Sequence, residues 1–117
     1  RKRELAAQKN QWYLELVSRM TSDNILPGVA NFFSQVRKAN LLTALGSVSK
    51  NAPLILERIG MTQAFDAVID GTKITNGKPD PEVFLKGAAE LEVRPAECVV
   101  FEDAVAGVEA GKRSGMF

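Results

Sequence analysis

The chain has 117 residues, 45% hydrophobic and 25% charged, with a formal net charge of +1. That is enough chain for one globular domain, and its basic residues are spread among acidic ones rather than gathered into the stripe a nucleic-acid binder shows. It has no histidine and one cysteine, which excludes a Ser-His-Asp triad, a Cys-His pair, histidine metal ligands and an internal disulfide.

Residues 3 to about 20 carry Leu5, Trp12, Leu16 and Met20 at helical spacing, which predicts an amphipathic helix with Lys9 and Asn10 on its polar side. Pro27 and Gly28 punctuate the chain. Val29, Phe32, Phe33 and Val36 predict a second helix ending near Asn40. Leu41 to Gly46 reads as a buried strand, followed by the polar loop Ser47-Val48-Ser49-Lys50-Asn51. Asn51 is the expected cap of a helix carrying Leu54, Ile55 and Ile59 and stopping at Gly60. Phe65 to Ile69 is a short strand, and Asp70 to Gly77 a loop. Asp80 is expected to cap the next helix, with Pro81 at its first position. Pro95 breaks the chain before a third strand, Cys98 to Phe101, in which Cys98 behaves as a small buried hydrophobe. Glu102 and Asp103 follow at once, and a helix starts at Ala104. Alternating strands and helices predict an α/β fold with a parallel sheet.

Each strand ends on polar groups, and open α/β sheets bind ligands outside the carboxyl ends of their strands. After the first, hydroxyls, a lysine and a helix N-terminus suit a phosphate, although a routine loop would look the same. After the second, Lys78 is a compact point charge suited to a phosphoryl group, although most lysines are simply exposed. After the third, adjacent carboxylates suit Mg²⁺, although Asp103 alone could be a helix cap. Hydroxyl, lysine and carboxylate pair in that order suit Mg²⁺-assisted phosphoryl transfer.

The motifs Leu45-Gly46-Ser47-Val48-Ser49-Lys50-Asn51, Gly77-Lys78-Pro79-Asp80-Pro81-Glu82-Val83-Phe84 and Val100-Phe101-Glu102-Asp103-Ala104-Val105-Ala106-Gly107 resemble the second, third and fourth motifs of the haloacid dehalogenase superfamily. The Ser-x-Ser-Lys-Asn form is similar to that of its β-phosphoglucomutase family. The resemblance implies a Rossmann-like core over residues 27–117, preceded over residues 1–26 by the last helix and hinge of an α-helical cap. It implies that Ser47 and Lys78 act on the transferring phosphoryl group, and that Glu102 and Asp103 hold Mg²⁺. It further implies that Ser47, Val48, Ser49, Lys50 and Asn51 bind a phosphorylated sugar, that Lys9 reaches toward the sugar, and that Lys78–Pro79 is a cis peptide. The implied reaction interconverts β-glucose 1-phosphate and glucose 6-phosphate through an aspartyl phosphate. The rival readings are a sugar-phosphate phosphatase and a non-catalytic fragment that binds a complementing chain. The superfamily's Asp-x-Asp first motif is absent from these residues. The chain also begins without Met, in mid-helix pattern, and stops on an apolar residue, so it is expected to be a piece of a longer enzyme, inactive by itself and with exposed sheet edges. Neither a membrane-spanning run nor a signal-peptide pattern is present. A cytoplasmic monomer with no nucleic-acid or membrane partner is the expected context.

Overall fold

A computed structural model describes all residues, Arg1–Phe117. Helix α1 spans Lys2–Ser18. It forms where the spacing places it, but only Val17 is buried; Leu5, Trp12 and Leu16 are exposed. Helix α2 runs Val29–Lys38 from Gly28, whose φ of 86° is open to glycine at little cost. Strand β1 is Ala44–Gly46 and strand β2 is Ala67–Ile69. They pair in parallel, with Ala44 opposite Ala67 and Gly46 opposite Ile69. Helix α3, Ala52–Ile59, makes the crossover between them and ends at Gly60 in the left-handed region. Helices α4, Glu82–Glu90, and α5, Val105–Arg113, complete the chain.

The core lies between the sheet and α4. Ile69 and Val83 are fully buried, each contributing about 1.5–3 kcal/mol by leaving water. Gly46 lets the β1 backbone approach the Phe84 ring, and Gly87 lets α4 settle on Ala44 and Ile69.

Several sequence expectations change. The strand expected over Leu41–Gly46 begins only at Ala44, and that over Phe65–Ile69 begins at Ala67. The stretch Cys98–Phe101 joins neither β1 nor β2, so the sheet has two strands. Its extended backbone pairs instead with the end of the chain, Val100 N–H donating to Phe117 O at 2.7 Å and Phe117 N–H to Cys98 O at 3.1 Å. A ladder needs a neighbour, and this segment has one residue of neighbour. Cys98 is half-buried rather than buried, which is still enough for burial to push its thiol pKa up. The Asn51 side chain does not cap α3; Ser49 Oγ accepts the Asn51 N–H instead. Helix α4 starts one residue later than expected, after Pro81, and Asp80 Oδ1 accepts the Glu82 N–H at 2.9 Å. Helix α5 starts after Ala104, whose N–H donates to Glu102 Oε1 at 3.2 Å, so Asp103 is not its cap.

Candidate active site

The carboxyl ends of β1 and β2 carry two loops that touch. In the first, Ser47 N–H extends the ladder by donating to Ile69 O at 2.9 Å. Ser47 Oγ then accepts the Ser49 N–H and Ser49 Oγ the Asn51 N–H, both at 3.1 Å. These bonds wind the loop tightly, leaving Val48 and Lys50 exposed and Ser47, Ser49 and Asn51 half-buried. In the second loop Asp70, buried at the end of β2, accepts Thr72 N–H at 2.7 Å and the Thr72 hydroxyl at 2.5 Å. The hydroxyl, then the amide, hold its carboxyl below the usual range. Gly71 N–H donates to Ser49 O at 3.0 Å and ties the two loops together. A Cβ on Gly71 would overlap Val48 O, so close approach of two backbones demands glycine here.

Lys78 follows, joined to Pro79 by a cis peptide, as the family resemblance implies. Its ammonium lies 5.1 Å from the centre of the Phe84 ring and donates to Glu102 Oε2 at 2.5 Å. Lys78 and Glu102 are both mostly buried, so this pair is far less screened than a surface one. The hydrogen bond from Lys78 is the main cause holding the Glu102 carboxyl below the usual range. The Glu102 side chain lies over Gly107 in the first turn of α5, where a Cβ would overlap it.

Asp103 next to it is exposed and takes no hydrogen bond. Mg²⁺ takes one or two protein carboxylates and completes its shell with water and phosphate oxygens. Asp103 offers a free hard-oxygen donor and Glu102 an adjacent ionised one, so this residue set fits that ion. No group of three or more acidic or thiol side chains is gathered here. Lys9 stands apart, exposed on α1.

Three residues that shape the site were given no role by the sequence reading, although Glu82 and Gly107 lie within the motifs quoted above. Glu82 accepts the Thr75 and Asn76 amides at 2.9 and 2.7 Å, and these bonds, Thr75 first, pull its carboxyl down to about 2. Gly71 and Gly107 are the others. A glycine just past a strand-end aspartate, and a glycine one turn into the helix after the carboxylate pair, were the available signals. A cavity of about 220 Å³ lies at the opposite end of the sheet, lined among others by Phe33, Arg37, Leu42 and Asp66. It sits at the amino ends of the strands, where this fold class does not bind its ligands.

Comparison with known proteins agrees with this architecture. The profile of haloacid dehalogenase-like hydrolases matches residues 2–115. The chain is 44% identical to β-phosphoglucomutase of Bacillus subtilis over 99% of this chain and 51% of that protein. It is 36% identical to a fructose-1-phosphate phosphatase of Escherichia coli over 87% of this chain and 55% of that protein. The crystal structure of β-phosphoglucomutase from Clostridium difficile superposes with a TM-score of 0.92 at 40% identity, covering 99% of this chain and 52% of that one. The chain thus spans about half the length of the curated relatives it matches. With its family profile matched almost end to end and its fold shared with a solved relative, the chain belongs to the haloacid dehalogenase-like hydrolases.

Proposed function

We propose that these residues are the charge-holding half of a Mg²⁺-dependent sugar-phosphate mutase that interconverts β-glucose 1-phosphate and glucose 6-phosphate. The supporting observation is the meeting of Lys78 and Glu102 at 2.5 Å beside a Ser47 loop that is tied to the neighbouring loop through Gly71. In this reading Ser47 donates a hydrogen bond to the transferring phosphoryl group and Lys78 offsets its charge. Preorganised donors of this kind supply the largest part of most rate enhancements. Asp103, with Glu102 beside it, would hold Mg²⁺, which supplies charge neutralisation at the phosphoryl oxygens. Val48, Ser49, Lys50 and Asn51 grip the second phosphate of a sugar bisphosphate, and Lys9 approaches the sugar from the helical side. Residues 1–26 are then the end of a cap and 27–117 the core. The attacking carboxylate comes from outside these residues, since they contain no Asp-x-Asp. The setting is a cytoplasmic monomer; no helix is long and apolar enough to cross a membrane.

The second reading, a phosphatase, is favoured by the likeness to a fructose-1-phosphate phosphatase. Lys50→Ala in the full-length protein separates the two. Lys50 is exposed, and a charge-assisted contact is worth roughly 1.5–3 kcal/mol, or about one to two decades in affinity for a bisphosphate. The mutase rate should fall by that factor, while hydrolysis of an aryl phosphate stays within about twofold. If both rates are unchanged, the second-phosphate grip lies elsewhere and the phosphatase reading gains ground.

A further inference from the structure

Helix α4 turns three charged side chains, spaced one turn apart, toward the loop that follows β2. The Glu82 carboxylate accepts the Thr75 and Asn76 amides at 2.9 and 2.7 Å. Lys86 Nζ donates to Lys73 O at 2.5 Å and pairs with Glu82 at 3.2 Å. Glu90 pairs with Lys73 Nζ at 3.5 Å, and that ammonium also donates to Val68 O at 2.6 Å. The loop is thereby stitched to the helix along its length, and Glu82 makes the stitch nearest Lys78.

The segment from Thr75 to Glu82 closes on itself. Asp80 N–H donates to Gly77 O at 3.0 Å, Glu82 N–H to Asp80 Oδ1 at 2.9 Å, and the Glu82 carboxylate returns to Thr75 and Asn76. Lys78 sits in the middle of that closed segment. An acidic residue in the first turn of a helix ordinarily answers the helix dipole. Glu82 spends its carboxylate on the loop's amides instead, which aims the backbone that carries Lys78.

We propose that Glu82 is a positioning residue that fixes the phosphoryl-holding lysine through the Thr75 and Asn76 amides. This rests on the role given to Lys78 above. A reacting group misplaced by about 1 Å costs on the order of 100-fold in rate, so loss of the clamp should be visible in kcat while ground-state binding changes little.

The test is a double-mutant cycle in the full-length protein, with hydrolysis of p-nitrophenyl phosphate as the readout, because mutase and phosphatase share that step. Glu82→Ala should lower kcat by about 10- to 100-fold with KM within about threefold. In a Lys78→Ala background the same substitution should cost less than about twofold, because the residue it positions is gone. Glu82→Gln, which keeps one carbonyl acceptor for the two amides, should recover most of the rate. Equal losses in both backgrounds, or an unchanged kcat in Glu82→Ala, would overturn the proposal. An unchanged rate in Lys78→Ala alone would instead overturn the role of Lys78. If Glu82→Ala loses its circular dichroism, Glu82→Asp, one methylene short of the amides, replaces it in the cycle.

Discussion

Glu102 is held from three sides: by the Lys78 ammonium, by the Ala104 N–H and by the bare Cα of Gly107 beneath it. Gly107→Ala therefore sets two effects against each other. Alanine gains about 1 kcal/mol of helix propensity, but its methyl pushes the Glu102 carboxylate away, and that flexible end can move only by leaving Lys78. In the full-length protein, on the role proposed for Glu102 and Lys78, the expected outcome is a variant that melts within a few degrees of the parent yet loses most of its phosphoryl-transfer rate. A variant with parental activity would contradict the packing. Acid reports on the same carboxyls. Glu102 and Glu82 titrate lower in the fold than the ordinary value of 4.5, Glu82 at about 2. The unfolded chain thus binds more protons over that interval, so their stabilisation is complete above pH 4.5 and is lost as pH falls toward 2. Thermal melts across that window should steepen downward in the parent and flatten in Glu82→Gln; parallel slopes would count against the clamp. The places of Ser47, Glu102 and Asp103 could be read because each stands just past an apolar run, and that of Lys78 because it sits before Pro79 at the end of the loop that follows the second strand. The value of Gly107 and Glu82 could not, because it depends on a side chain or an amide brought near by a turn.

At the level of elements, the alternation of apolar runs with helical patterns was readable and gave the parallel pair. Strand length was not. Leu41 and Leu42 belong to an apolar run, yet they are exposed before β1. Phe101 ends another such run and stacks edge-on against Phe32 at 5.4 Å instead of entering the sheet. Hydrophobicity is written in the sequence; the presence of a hydrogen-bonding neighbour is not. The join between the β1–α3 and β2–α4 loops was equally invisible, since Gly71 and Val48 lie far apart in the chain. Gly71→Ala would drive a methyl into Val48 O, a backbone atom that cannot rotate away. We expect a loss of about 1–3 kcal/mol, typical of overpacking, and shifted amide resonances at Ser49 and Lys50. Urea unfolding and a ¹H–¹⁵N spectrum check both, and an unmoved midpoint would refute the close approach.

The whole molecule is more open than its length warrants. Its accessible surface is 8352 Å², against about 6,200 Å² for a compact monomer of this size. Its radius of gyration is 15.2 Å, against about 13.4 Å for a compact domain. Only 13 residues are buried, while Leu16, Phe101, Val105 and Phe117 are each more than 60% exposed. A two-stranded sheet by itself is marginal in water, so this one depends on its packing against α4. The exposed apolar edges expected from the sequence are thus present, and they concentrate around the segment left without a strand partner. The 117-residue chain by itself should bind a hydrophobic dye strongly and unfold at low urea. A dye-silent chain with a sharp transition above about 3 M would show that this surface is better protected than its exposure implies.

A lone ammonium attracts chloride, sulfate and phosphate alike. Lys78 does not start alone: it already leans on a carboxylate and on the face of Phe84. Any anion arriving there gains only the difference between itself and Glu102. A halide gains nothing from that exchange. On the proposed reading, a doubly charged phosphoryl group would gain more, and most where a divalent cation gave Glu102 a new companion. On the role proposed for Lys78, the pairing would make the lysine a discriminator, indifferent to background salt and responsive to the one anion that brings its own counter-charge.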